Sequence, residues 1–71
     1  MLEFETNTLG KLRMLGRYIN TVLLEKIDCD YENYIVASGF DDNTNTWANG
    51  TYLNTYKSAL REFKSRIVWG V

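Results

Sequence analysis

Three acidic residues at alternate positions have the spacing that best suits chemistry in this chain. In an extended segment, the carboxylates of Asp28, Asp30 and Glu32 would point to the same side. Oxygen ligands grouped in this way bind Mg²⁺ or Ca²⁺, and such an ion would support hydrolysis. A solvated acidic loop accounts for the same residues, and we favour it because charged runs are usually solvated. The sequence therefore predicts no metal site and no cofactor.

A second group of oxygen-bearing side chains partly matches a calcium-binding loop. Asp41, Asn43 and Asn45 have the spacing of the first three ligands in a loop of the EF-hand type. The match fails further along, because Thr46 replaces the turn glycine and Tyr52 replaces the bidentate glutamate. We therefore interpret these residues as a hairpin loop whose Asn and Asp side chains hydrogen-bond to their own backbone.

The most restrictive feature of the composition is that histidine is absent. This removes the commonest general base and the commonest zinc ligand. Cys29 lies between Asp28 and Asp30, whose negative charges disfavour the reactive thiolate. The five glycines are scattered singly, so there is no phosphate-binding loop. We predict that the protein is not an enzyme.

The length and composition indicate one small folded domain over residues 1–71. Hydrophobic residues make up 45% of the 71-residue chain, which is enough to form a core. The single Cys29 cannot form an internal disulfide, and the N-terminus lacks the basic and apolar parts of a signal peptide. No segment approaches the roughly 20 apolar residues that span a bilayer. These features predict a cytoplasmic protein that is a monomer or a small homo-oligomer and does not associate with membranes.

Hydrophobic spacing predicts a helix in the N-terminal part of the chain, over residues 8–27. The apolar residues that would share one face of this helix are Leu9, Leu12, Leu15, Ile19, Val22, Leu23 and Ile27. Thr6, Asn7 or Thr8 could cap its first turn.

A change of hydrophobic period then predicts a β-hairpin over residues 33–53 and a second helix over 55–67. Alternation from Tyr34 to Phe40 has the period of a strand, and Tyr56, Ala59, Leu60, Phe63 and Ile67 have helical spacing. A third strand would come from Leu2 and Phe4 or from the C-terminal end. The predicted fold is α+β, a small antiparallel sheet packed by two amphipathic helices in the order (β)αββα.

The second helix also carries most of the basic charge in the C-terminal part of the chain. Four basic residues outnumber Glu62 there, and they are Lys57, Arg61, Lys64 and Arg66. Basic side chains along one side of a helix are typical of phosphate contacts. Nucleic-acid binding is therefore the alternative function, although the net charge of the chain is −1.

Large aromatic side chains indicate a protein-binding surface, because a core this small cannot enclose all of them. Tryptophan and tyrosine frequently anchor interfaces, and Trp47 lies beside the predicted hairpin loop, with Tyr52 in the strand that follows. Packing of Phe40 on Trp47 across the hairpin is the structural alternative for Trp47, and it is compatible with binding if one face of the pair stays open. Acidic residues in the loops would attract a partner with a basic surface. The residues assigned to this surface are Trp47, Tyr52, Asp41, Asp42, Asp30 and Glu32.

The hairpin and the helix that follows it also resemble a class of small proteins. The residues that carry the likeness are Gly39-Phe40-Asp41, Trp47 and Gly50-Thr51-Tyr52. This arrangement resembles accessory proteins encoded by bacteriophages and mobile elements, a population that includes inhibitors of CRISPR nucleases. The resemblance implies an inhibitor that binds a host or phage protein stoichiometrically. The chain departs from inhibitors that mimic DNA, because it has eight basic residues against nine acidic ones.

Overall fold

A five-stranded antiparallel sheet and one C-terminal helix form the fold. The computed structural model describes residues 2–6, 10–27 and 32–69 of the chain. The strands are β1 (Leu2–Thr6), β2 (Gly10–Tyr18), β3 (Thr21–Lys26), β4 (Tyr34–Ser38) and β5 (Asn49–Leu53), and the helix is α1 (Tyr56–Trp69). The strands follow one another across the sheet in chain order, so β1 and β5 are its edges.

The two faces of the sheet bury different groups of side chains. One face, here called the loop face, carries Leu12, Val22, Leu24, Ile35 and Ala37, and these residues cluster with Phe40, which lies beyond the end of β4. The opposite face, here called the helix face, carries Leu23 and Val36, which pack against Ala59 of α1. Because α1 covers one face and the chain after β4 lies against the other, β3 and β4 are buried on both sides.

The predicted helix over residues 8–27 is wrong, because the structure forms the β2–β3 hairpin there. The apolar stripe of that helix is divided between the two faces of the sheet: Leu12 and Val22 belong to the loop face, whereas Leu15 and Leu23 belong to the helix face. A strand buried on both faces loses the alternation that distinguishes it from a helix. A register shift between Met14 and Gly16 further breaks the period of two.

The predicted order (β)αββα is therefore incorrect, although later elements occur where the pattern placed them. Strands β4 and β5 form an antiparallel hairpin within residues 33–53, and α1 begins at Tyr56. The N-terminal strand exists, but it pairs with β2 rather than with this hairpin. Within the described residues, no helix combines the length and the apolar character needed to cross a membrane.

Candidate protein-binding surface

The turn between β2 and β3 places an isoleucine in a conformation that favours glycine. Tyr18 pairs with Thr21, which leaves Ile19 and Asn20 as a two-residue turn. Ile19 has φ +55°, in the left-handed region, where a side-chain Cβ approaches the backbone too closely. A β-branched residue is rare at such a position, and the strain is about 1–2 kcal/mol. The side chain of Ile19 is nevertheless 71% exposed, so packing within the monomer does not account for its presence there.

Hydrogen bonds from the rest of the molecule hold this turn in its conformation. Arg17 Nε donates to the carbonyl of Ile19 over 2.7 Å. The two terminal nitrogens of Arg17 donate to the two carboxylate oxygens of Asp42, over 2.5 and 3.0 Å. The backbone nitrogen of Phe40 donates to the carbonyl of Asn20 over 3.0 Å. The segment after β4 therefore fixes the turn from one side, which is the condition under which strained backbone persists.

The ion pair between Arg17 and Asp42 alters the protonation of both groups. The hydrogen bond from Arg17 lowers the pKa of Asp42 below its ordinary value, and the attraction between the two charges lowers it further. The same hydrogen bond raises the pKa of Arg17. Desolvation opposes both shifts, but it is outweighed by the hydrogen bond. Both groups are therefore charged at neutral pH, and the contact that fixes the turn is intact.

The strained turn lies beside a groove that separates it from the C-terminal end of α1. The groove has a volume of about 320 Å³, and its lining includes Tyr18, Ile19 and Ile67. Tyr18 is 51% exposed, and Val68, which follows Ile67 in the helix, is 74% exposed. We call the four residues Tyr18, Ile19, Ile67 and Val68 the turn–helix surface. Exposed apolar residues grouped around a groove are typical of a site that binds another protein.

Three basic residues extend from this surface along the outer side of α1. Lys57, Arg61 and Lys64 are exposed, and none of them forms an ion pair with a described acidic residue. Their spacing of four and three residues places them on one side of the helix, and Val68 continues the same line. We call Lys57, Arg61 and Lys64 the basic stripe.

Arg66, the fourth basic residue assigned to nucleic-acid binding, lies inside the fold instead. Its side chain is only 12% exposed and pairs with Glu62 over 3.0 Å. Its terminal nitrogens donate to the hydroxyls of Ser38 and Thr51 and to the carbonyl of Asn49. These contacts join α1 to β4 and β5, so the guanidinium is engaged within the fold, although Arg66 also lines the groove beside the turn.

The two aromatic residues assigned to protein binding have different surroundings. Trp47 is half-buried and stacks on Phe40, with 6.5 Å between the ring centroids and 18° between the ring planes. It packs against the loop-face cluster and lies over Gly50. Tyr52 is 39% exposed, with Lys26 Nζ 5.1 Å from its ring centroid. Trp47 therefore contributes to a core, whereas Tyr52 is accessible but lies apart from the strained turn.

Two of the four acidic residues assigned to protein binding form side-chain contacts within the chain. Asp41 accepts a hydrogen bond from the backbone nitrogen of Asn43 over 2.8 Å, as expected for a self-bonded hairpin loop. Asp42 pairs with Arg17. Glu32 is half-buried, and Asp30 lies outside the described residues, as do Asp28 and Cys29. Attraction to a basic partner through these carboxylates stays a prediction. Among the described residues, no three potential metal ligands are grouped together.

The sequence pattern did not predict the turn–helix surface. It placed Ile19 on the buried face of a helix, and it assigned no binding role to Tyr18 or Val68. The available signal was local: Asn20 is a turn residue between two runs of apolar side chains, Leu12 to Leu15 and Val22 to Leu24.

No protein-family model, curated protein or solved structure matches this chain. We therefore infer its function from the geometry of its own surface. The most unusual feature of that surface is the strained and exposed Ile19.

Proposed function

We propose that the protein is a non-enzymatic binding module that occupies the surface of a protein partner through its turn–helix surface. The observation that carries this proposal is Ile19, a β-branched residue held in a left-handed conformation with most of its side chain in solvent. Strained residues that the surrounding structure maintains are concentrated at functional sites. A site with exposed apolar side chains beside a groove is suited to binding.

The energetics of the surface also support this role. Burial of an isoleucine or valine side chain contributes about 1.5–3 kcal/mol. The turn that carries Ile19 is already held by Arg17 and Phe40, so little conformational entropy would be lost when a partner binds. A rigid apolar tip beside a groove matches the anchors that dominate binding energy at protein interfaces.

Replacement of Ile19 by asparagine tests the proposal. Asparagine tolerates the left-handed conformation, so the Ile19→Asn variant keeps the turn while removing the apolar side chain. We expect it to fold as the wild type does and to lose more than about 1 kcal/mol of affinity for a partner. Partners are first captured from a lysate of the source cells with the wild-type protein. The purified partner is then titrated with the wild type and with Ile19→Asn, and the two affinities are compared.

Tyr52→Ser is the matched control, because Tyr52 is also a large, exposed hydrophobic residue but lies outside the turn–helix surface. It should leave the affinity unchanged. The proposal is wrong if Ile19→Asn binds as tightly as the wild type, or if the control loses as much affinity as the variant. Origin in a bacteriophage or mobile element, and action as an inhibitor, stay predictions from the resemblance.

Nucleic-acid binding is the second candidate, and the basic stripe favours it. Lys57, Arg61 and Lys64 are exposed and free of ion pairs with the described acids, so they could contact phosphates. Such binding should weaken steeply as salt is added, since phosphate contacts release counterions. An affinity for a DNA duplex that does not change with salt would exclude this candidate.

A further inference from the structure

We propose that the partner of the turn–helix surface presents an acidic segment, in which carboxylates flank the apolar group that contacts Ile19. This inference rests on the proposed function and specifies the chemistry of its partner. It is carried by the charge of the basic stripe, by its position on the helix whose C-terminal end lines the groove, and by the lack of an ion pair between that charge and a described acidic residue.

The basic stripe leads toward the apolar end of α1. Lys57 and Lys64 are seven residues apart, which is about 10 Å at the rise of an α-helix. Val68 follows one turn later on the same side, and Ile67 beside it lines the groove. An extended segment that placed an apolar side chain near Ile19 and Val68 would therefore pass next to the basic side chains of α1.

The charge of the stripe is not neutralised by the described part of the fold. The other arginines all have partners: Arg13 pairs with Glu3 and Glu25, Arg17 with Asp42, and Arg66 with Glu62. Glu62 is the only acidic residue of α1, and its partner is Arg66 rather than a residue of the stripe. The exposed side of the helix thus presents three positive charges that a ligand could match with carboxylates.

Stability of the helix does not explain this arrangement. The first turn of α1 contains no acidic residue, and Lys57 is the second residue of the helix. A positive charge near a helix N-terminus is disfavoured by the helix dipole, which prefers acidic residues there. Lys57 therefore destabilises the folded helix slightly, and a contribution of its charge to binding would account for its presence there.

A protein segment fits this surface better than a nucleic acid does. The turn–helix surface supplies aliphatic side chains, and these have no counterpart in a phosphate backbone. Outside the stripe, the three other arginines are paired with acidic residues, and the chain has a net charge of −1. Nucleic-acid interfaces depend on a strong excess of positive charge.

Selection from a random peptide library, with the immobilised full-length chain as bait, tests the inference. The selected peptides are then titrated against the wild type, Ile19→Asn and the triple variant K57Q/R61Q/K64Q. Glutamine is a good helix former, so the triple variant should fold. Lys11→Gln is the control, since Lys11 is an exposed cation on β2, away from α1. Titration with a short labelled DNA duplex measures binding to nucleic acid, and sedimentation of the protein alone measures its oligomeric state.

We expect peptides that bind through Ile19 to carry Asp or Glu beside an aliphatic or aromatic residue. Their affinity should fall about tenfold in the triple variant and remain unchanged in Lys11→Gln. Some peptides could require Ile19, lack acidic residues and bind the triple variant as tightly as the wild type. That result would overturn this inference while leaving the proposed function intact. The absence of any peptide that depends on Ile19 would overturn both. Binding to the DNA duplex that is tighter than binding to the peptides would overturn the inference in favour of nucleic acid. A dimer of the wild type that dissociates in Ile19→Asn would overturn it in favour of a second copy of the chain.

Discussion

The guanidinium of Arg17 connects two loops that are distant in the sequence. It donates to the carbonyl of Ile19 in the β2–β3 turn. It also binds the carboxylate of Asp42, which lies 25 residues after Arg17 in the chain. The same guanidinium lies 5.5 Å from the centroid of the Phe40 ring. The contact links the strained turn to the loop that covers the sheet, so the position of Ile19 depends on both.

Ile19→Gly should make the folded protein more stable. Glycine removes the steric strain of the left-handed conformation, but it increases the entropy of the unfolded chain, so we expect a net gain of about 0.5 kcal/mol. Urea denaturation measures the free energy of unfolding. Asn45→Gly is the control, because Asn45 also has a positive φ of 54° but is a residue type that tolerates it. A loss of stability in Ile19→Gly greater than in the control would show that Ile19 packs within the monomer.

The pairing of Asp42 predicts a specific dependence of stability on pH. Because its pKa is lower in the folded state than in the unfolded state, Asp42 contributes stability above the unfolded pKa of about 4. That contribution is lost as the pH falls through the lower, folded pKa. The melting temperature of the wild type should therefore exceed that of Asp42→Asn at neutral pH, and the two should converge in acid. A difference that stays constant down to about pH 2 would contradict this assignment.

At the scale of elements, α1 is attached to the sheet by polar contacts as well as by apolar packing. Thr55 caps the helix, accepting a hydrogen bond from the backbone nitrogen of Ser58 over 3.2 Å. Near the other end, Arg66 reaches β4 and β5. Between these contacts, Ala59 and Phe63 pack on the helix face, and the ring of Phe63 lies over Gly16. The basic stripe is thereby held on a fixed helix.

Arg66→Gln should destabilise the protein far more than Arg61→Gln. The first variant removes charged hydrogen bonds from a nearly buried side chain, which costs about 2 kcal/mol. The second changes an exposed residue without an ion pair to a described acid, and its effect should stay within about 0.5 kcal/mol. Chemical denaturation compares the two. Equal effects would mean that the contacts of Arg66 add nothing to the attachment of the helix.

At the scale of the whole molecule, the sheet buries apolar residues on both faces, and the described residues supply one helix to cover them. The loop-face cluster is completed by Phe40, which is 5% exposed and lies between the rings of Phe4 and Trp47. The aromatic side chains thus cover the loop face, and the helix predicted over residues 8–27 is not needed for this purpose. Stability of the sheet therefore depends on the segment that also carries Asp42.

Trp47→Ala should lower the stability of the whole domain. Its ring stacks on Phe40 and covers Gly50, so truncation opens the loop-face cluster at a cost of about 2 kcal/mol, less than for a fully buried tryptophan. Tyr52→Ala, at an exposed ring, should cost less than about 1 kcal/mol. Thermal unfolding followed by circular dichroism measures both. A Trp47→Ala variant as stable as the wild type would show that the stacking of Trp47 on Phe40 does not stabilise the domain.

Local patterns in the sequence were enough to predict the β4–β5 hairpin and α1. The β4–β5 hairpin was recognised from alternation followed by a polar loop, and α1 from the helical spacing of Ala59, Leu60 and Phe63. The region from Gly10 to Lys26 was misassigned, because β3 is buried on both faces and β2 contains a register shift. Neither condition is visible from the spacing of apolar residues alone.

The amino-acid sequence by itself determined the hairpin, the C-terminal helix and the lack of histidine, since each follows from residue type or from near neighbours. Tertiary structure decided that residues 10–26 are strands, that Arg17 meets Asp42, and that Arg66 is enclosed while the basic stripe stays exposed. It also decided that Ile19 projects from a strained turn. The physical reason is that burial and ion pairing depend on which distant segments cover each face, and this information is absent from any short stretch of the chain.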